Sequence, residues 1–382
     1  DPNNLLGKGV APGITCALIP SDTPGVDISR RHDPMGVPFY NCPVIGIDVV
    51  VPVSTIIGGP EKAGEGWKML MESLAAGRGI SLPANCTGGA KMVSRVTSAH
   101  STIRKQFGMS IGKFEGIEEV LARIGGQTYL LDAARIYTCG AIDSGAKPSV
   151  VTAMVKYHFT ETFRQMINDG MDVLGGNGIS NGPRNMFANP YKAVPIGITV
   201  EGANILTRTM IIFGQGVLRC HPYAYEEIKA SNNGDLKAFD RAFFGHVHHV
   251  LTNIVRAKVL TLTQGLHIPL IGKRESKRYF QKLVWVSAVF SIYSDLAMVI
   301  FGGALKRKER ITGRLGDVLS WMYLITSVLR RYEAEGQRPE DRPFMHWACQ
   351  YGFYQIQLAL EGLLRNMPLP IRLSGIWLRL IP

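Results

Sequence analysis

The stretch Ile198-Thr-Val-Glu-Gly-Ala-Asn-Ile-Leu-Thr-Arg208 sets one carboxylate, Glu201, directly before Gly202 at the mouth of an apolar helix. Beside Ile198, Val200, Ile205 and Leu206 a carboxylate is poorly hydrated, the setting in which it works as a general base near neutral pH. The same placement suits a plainer role, because the helix dipole favours an acidic residue at a helix N-terminus. The segment alone supports both readings. The rest of the chain has to choose between them.

The chain has 382 residues, 46% of them hydrophobic and 19% charged, which is room for two or three domains with large cores and excludes a disordered protein. Cys16, Cys42, Cys86, Cys139, Cys220 and Cys349 show no paired spacing. That pattern speaks against a disulfide framework or a zinc site and for a reducing compartment. No signal peptide is evident, and a start at Asp1 without methionine leads us to expect a piece of a longer protein. The net charge of +12 is uneven, since from Lys273 onward 17 Lys/Arg face 9 Asp/Glu. Such a surface could meet anionic lipid, nucleic acid or coenzyme A phosphates, although a solvated helical face accounts for it as well. The chain lacks the interleaved aromatic and basic residues of a nucleic-acid module, so we expect no nucleic-acid partner.

Outward from Glu201 the pattern is mostly helical. Gly13–Ile19 and Val44–Val51 read as strands, the second closed by Pro52. Helical periodicity then predicts helices over 64–76, 79–107, 115–144, 148–173, 202–216, 235–264, 275–304, 308–335 and 343–366. A Gly/Asn/Pro-rich loop runs from Gly175 to Pro190, and residues 229–235 read as a linker between two helical domains. The apolar run Leu283–Leu305 carries Asp295 near its middle, which favours a buried core helix over a membrane span. The tail Ile371–Ile381 is amphipathic and basic, fit for a membrane surface or for packing on a partner segment. His246 and His249 share a helical face, but no carboxylate or cysteine stands at matching spacing, so no metal site is expected.

Three further segments combine with the Glu-Gly step. Gly77-Arg-Gly79 opens a predicted helix, Arg104-Lys-Gln-Phe-Gly108 closes it, and Gly175-Gly-Asn-Gly178 follows another. An arginine at a helix end suits a diphosphate, and glycines let backbone approach a phosphate or flat ring. Taken in order with Gly59-Pro-Glu-Lys-Ala-Gly-Glu-Gly-Trp67, these motifs closely resemble the acyl-CoA dehydrogenase family over residues 13 to about 225. Val200–Arg208 and Phe213–Pro222 are most similar to the large bacterial fatty-acid enzymes, which have an extra helical C-terminal domain.

The resemblance implies a mainly α fold. It would comprise the C-terminal half of a middle β-domain at 1–60, the family's C-terminal helical domain at 61–228 and an additional all-α domain at 235–382. It implies FAD-dependent α,β-desaturation of fatty acyl-CoA to trans-2-enoyl-CoA, the first step of fatty-acid β-oxidation. Glu201 takes the motif position of the α-proton base, and Gly77 stands where some relatives place theirs. Arg78, Leu74 and Gly202 match substrate contacts. Arg104, Phe107, Gly175 and Gly176 match FAD contacts, the last two across a subunit interface. Asp172 stands where glutamine is usual, Val200 replaces a tyrosine, and Ala203-Asn204-Ile205 replaces Thr-Ser-Gln, leaving Asn204 as a substitute FAD contact. Electron transfer flavoprotein as acceptor, a homo-oligomer of at least two copies, and the bacterial cytoplasm with contact to the inner membrane are further implications. An acyl-CoA oxidase and a non-catalytic helical membrane-docking protein are the alternatives.

Overall fold

The computed structural model describes the chain except for residues 39, 264, 267–271, 273, 274 and 373–382. Its helical part starts with α1 (Gly66–Ile103), which runs unbroken through Gly77, Gly79 and Pro83. The sequence predicts two helices here, and packing joins them. A Cβ on Gly79 would sit 2.6 Å from Thr152 Cγ2, and one on Gly89 would sit 2.2 Å from Phe163 Cζ. These glycines are a close-approach seam, and the burial it permits offsets their helix penalty of about 1 kcal/mol each.

The facing helix is α3 (Ser149–Leu174), with α2 (Glu115–Asp143) returning between the two. Gly79 meets Thr152 while Val93 meets Gly170, so α1 and α3 run in the same direction. Next come α4 (Gly176–Ile179) and α5 (Ala188–Thr199), the latter unpredicted because Pro190 and Pro195 lie inside it. The predicted helix over 202–216 is instead α6 (Asn204–Leu206), a nine-residue π-helix (Thr207–Gln215) and α7 (Gly216–Cys220). The remaining helices are α8 (Ala224–Asn232), α9 (Leu236–Thr263), α10 (Ser276–Phe301), α11 (Glu309–Ala334), α12 (Arg342–Asn366) and α13 (Leu369–Arg372).

Most of the predicted linker 229–235 is the last turn of α8, and only a tight turn separates α8 from α9. Nor do the two helical parts have separate cores. One apolar cluster runs from Cys86 and Phe163 through Trp285 and Leu324 to Leu363, with α11 and α12 lying on α2. Charges reinforce that junction. Asp132 on α2, 6% exposed, is reached by Lys91 of α1 at 2.9 Å, by Arg135 at 2.9 Å and by Arg331 of α11 at 3.1 Å. Arg208 in the π-helix makes a forked contact with Asp317 of α11, with Nε at 2.8 Å, which keeps the guanidinium firmly protonated.

The first sixty residues depart from the strand prediction. Among the described residues they form only β1 (Val26–Asp27) paired antiparallel with β2 (Ile45–Gly46), plus a bridge between Ala17 and Ile56. Val44, Ile47 and Val50 are apolar but 71%, 68% and 87% exposed. A strand is completed by its neighbour's hydrogen bonds, and beyond β2 the described residues give one of them, from the Ile47 N–H to Gly25 O at 3.0 Å. A second two-residue pair, β3 (Lys105–Gln106) with β4 (Met109–Ser110), makes a hairpin at the end of α1.

α10 with its following turn is the one helix among the described residues long and apolar enough to cross a membrane, and half of its most apolar window is buried. Trp285, Ala288 and Val289 join the core cluster, and Asp295 is 3% exposed. The basic tail Ile371–Ile381 lies almost wholly outside the described residues.

Candidate active site

Glu201 follows α5 in the left-handed conformation, at φ +55°, which is uncommon for a residue with a side chain and requires support from its surroundings. Gly202 continues the bend at φ +91°. A side chain at 202 would be strained by that angle, and its Cβ would press on Thr207 Oγ1 at 3.1 Å with Arg78 Nη1 beyond it at 3.9 Å.

The support comes from Lys156 on α3, completely buried. Its Nζ donates to Gly202 O at 2.7 Å, to Asn204 Oδ1 at 2.8 Å and to Ile198 O at 3.3 Å. Three bonds from one ammonium thus clamp the backbone on both sides of Glu201. Burial pulls the Lys156 amine down to about 8; the Glu201 carboxylate opposes this and Arg78 adds to it. Thr207 Oγ1 gives Gly202 O a second donor at 3.1 Å.

Glu201 does not cap the helix. The residue before α6 is Ala203, and no side chain caps that end. Glu201 Oε2 is instead buried without a hydrogen-bond partner, and the Glu201 N–H donates to nothing among the described residues. Arg78, on α1 and 6% exposed, lies within electrostatic reach of the carboxylate, and its Nε is also buried and unpartnered. Burial lowers the Arg78 guanidinium from its ordinary value, and Glu201 counteracts it. The arrangement therefore offers one carboxylate oxygen and one backbone N–H, both unused, next to a buried guanidinium.

Two sequence profiles cover this site and the helices C-terminal to it. Residues 64–214 match the acyl-CoA dehydrogenase C-terminal domain, and residues 218–382 match the acyl-CoA dehydrogenase C-terminal domain of bacterial type. The chain belongs to the acyl-CoA dehydrogenase family. The short/branched chain specific acyl-CoA dehydrogenase of Bos taurus mitochondria is 30% identical over 204 residues, which are 52% of this chain and 45% of that protein. A protein named HemX from Proteus mirabilis is 57% identical over 99 residues, 26% of this chain and 58% of the other. An acyl-CoA dehydrogenase from Bacillus anthracis, solved in complex with FAD, superposes with a TM-score of 0.75 over 97% of this chain and 62% of its own, at 18% identity. That last likeness is one of fold. The chain spans about half the length of the relatives it matches.

In this acyl-CoA dehydrogenase family member the predicted site residues fall into two groups. Glu201, Gly202 and Arg78 come together. Leu74 lies on α1 one turn before Arg78, with its side chain outside the described residues. Arg104 and Phe107 belong to the hairpin after α1, exposed, with Phe107 92% exposed at φ +50°. Gly175 follows α3 at φ +59° and Gly176 opens α4, neither crowded where a Cβ would stand. Because α1 and α3 are parallel, these four lie at the far end of the helix pair, about 27 Å along α3 from Lys156 at 1.5 Å per residue.

Asn204 is a correction. Expected at the cofactor, it is 3% exposed, and its Nδ2 donates to Thr160 Oγ1 at 2.9 Å and to Glu161 Oε1 at 2.8 Å while its Oδ1 takes the Lys156 proton. Both donors and the acceptor are used inside the protein, so Asn204 anchors the Glu201 turn. Lys156 escaped the sequence reading altogether. Its signal was a lone cation inside the apolar helical run Ala153-Met-Val-Lys-Tyr-His-Phe159.

Proposed function

We propose that this chain carries the catalytic base of a FAD-dependent acyl-CoA dehydrogenase that desaturates fatty acyl-CoA to trans-2-enoyl-CoA in β-oxidation. The observation that carries the reading is Glu201, whose buried Oε2 has no partner while the Lys156 clamp fixes the turn that presents it. A proton leaving the α-carbon passes to that carboxylate. Negative charge then builds on the thioester oxygen, and the unused Glu201 N–H is the donor this chain offers it. The absence of a side chain at Gly202 keeps that approach open. Arg78 adds a buried positive charge within electrostatic reach of Glu201, which favours an oxyanion developing beside it.

FAD, when bound, supplies the acceptor for the β-hydrogen, which leaves with its electron pair as the double bond forms. The residues present fit the far end of that cofactor. Arg104 offers an exposed guanidinium for a diphosphate, Phe107 an exposed ring for a flat heterocycle, and Gly175-Gly176 an uncrowded backbone. Their distance from Glu201 along one chain supports the implied homo-oligomer, in which each cofactor is touched by two copies. Electron transfer flavoprotein is the proposed acceptor and a long-chain acyl-CoA the proposed substrate.

The test is a visible absorption spectrum of the purified full-length protein, taken before and after palmitoyl-CoA is added without oxygen. A flavin band that bleaches supports the reading. A colourless protein that cannot be reconstituted with FAD, or a flavin that no acyl-CoA bleaches, removes it.

A further inference from the structure

Where α3 and the π-helix meet α11 and α12, they enclose a cavity of about 530 Å³, a volume typical of small-molecule sites. Neither Glu201 nor Arg78 lines it. Four rings stand in its wall and touch one another in sequence. Tyr157 meets His158 at 4.8 Å, His158 meets Trp321 at 5.1 Å and Trp321 meets Tyr351 at 5.4 Å, each edge to face. Burial, with Arg208 adding to it, pulls the His158 imidazole down to about 3, so the ring is neutral at physiological pH. Its Nε2 is buried without a hydrogen-bond partner, a cost that a ligand group reaching it would relieve.

Three arginines and two carboxylates also line the cavity. Arg164 pairs with Glu161, whose other oxygen takes an Asn204 amide proton at 2.8 Å, and Arg208 forks onto Asp317. Arg314 is left over. Among the described residues it has no ion-pair partner, and its Nη1 donates to the backbone O of Arg310 at 3.0 Å. Two glycines seat these guanidiniums. A Cβ on Gly362 of α12 would sit 2.1 Å from Arg314 Nε, and one on Gly313 of α11 would sit 3.2 Å from Arg208 Nη1. The fold thus makes room on α12 for a cation that no acidic side chain pairs with. Asn168 and Gln355 add amides, each with donors and an acceptor, to the same cavity.

We propose that this cavity binds a small anion carrying a flat, hydrogen-bonding ring, of the nucleoside monophosphate class, with Arg314 as the phosphate partner and the aromatic wall beside the base. A guanidinium with spare N–H groups suits a phosphate oxygen pair, aromatic side chains suit a base, and side-chain amides suit its polar edge. The site takes no part in the proposed reaction. Glu161 serves both the cavity and the Asn204 anchor, so the variants that test the site are placed elsewhere.

The experiment titrates the full-length protein, saturated with FAD, with AMP by calorimetry, and repeats the titration with adenosine and with inorganic phosphate. One equivalent of AMP is expected, bound about tenfold or more tightly than either fragment. Arg314→Gln should weaken AMP about tenfold by removing the charge-assisted bonds to phosphate, and should leave adenosine unchanged. Gly362→Ala deletes no binding group but displaces Arg314, and should have the same effect. Circular dichroism and retained FAD establish that both variants fold. No AMP binding by the folded wild type would overturn the site. So would AMP binding that neither variant weakens, which would place it elsewhere on the protein, and inorganic phosphate binding as tightly as AMP, which would leave the rings without a role. None of these results touches the assignment of Glu201.

Discussion

Glu201 and Asp295 each keep one buried carboxylate oxygen without a hydrogen bond, but their neighbours differ in kind. Glu201 lies among Lys156 and Arg78, cations tied to α3 and α1. Asp295 lies among three imidazoles. Cations on two helices fix the turn that carries the first carboxylate and leave its Oε2 open. The second carboxylate is held by an imidazole, the His221 Nε2–H donating to Asp295 Oδ1 at 3.0 Å. Buried carboxylates of the same kind thus have cations for company in one region and imidazoles in the other.

The contrast is sharpest in activity. Glu201→Gln in the full-length protein should retain FAD yet lose bleaching by acyl-CoA by about 10³-fold in rate, because only the proton-accepting group is neutralised. Normal bleaching in that variant would take the base away from Glu201. Asp295→Asn, by contrast, should leave the bleaching rate within about twofold.

Stability separates the two regions next. Lys156→Met strands Gly202 O, Asn204 Oδ1 and the Glu201 charge, and should cost about 3 kcal/mol in urea unfolding. Asp295→Asn should cost about 1 kcal/mol or less, since no Lys or Arg pairs with the group removed. Equal costs would erase the distinction.

A pH series tests the electrostatics of the Glu201 turn. Lys156 releases its proton near pH 8 in the folded chain and near its ordinary 10.5 when unfolded. Between those values the unfolded chain binds more protons, so the stability of wild type relative to Lys156→Met should rise with pH. The slope should approach that of about one proton per chain. A flat or falling difference would mean that Lys156 is not held in the surroundings described.

The smallest structural effect is expected at the exposed end. Arg104→Ala and Phe107→Ala should change unfolding free energy by no more than about 0.5 kcal/mol, as exposed positions do. Each should still weaken FAD retention, measured by flavin released on gel filtration. Full retention in both variants would detach the hairpin from the cofactor.

The order of short motifs made the family legible, and it singled out Glu201, Gly202 and Arg78, which the fold brings together, because each depends on a backbone turn or a helix position that local sequence specifies. The helix periods of α2, α3 and α9–α12 were legible for the same reason. Gly77 and Gly79 misled, since a glycine that breaks an isolated helix also permits the closest packing of two helices, and only Thr152 on the facing helix tells which. The strands expected at Gly13–Ile19 and Val44–Val51 failed because a strand is completed by its neighbours. Asn204 failed because its amide is consumed by Lys156, Thr160 and Glu161, residues more than forty positions away.

What the sequence alone determined is therefore the helical class and the family, both carried by local patterns. The tertiary structure decided what each buried charge has for company. Lys156 reaches Gly202 across α3, and Asp295 reaches His221 and His246 across α10, because helix packing brings distant positions within hydrogen-bond range. No periodicity in the chain encodes such a meeting; it depends on which faces two helices bury against each other.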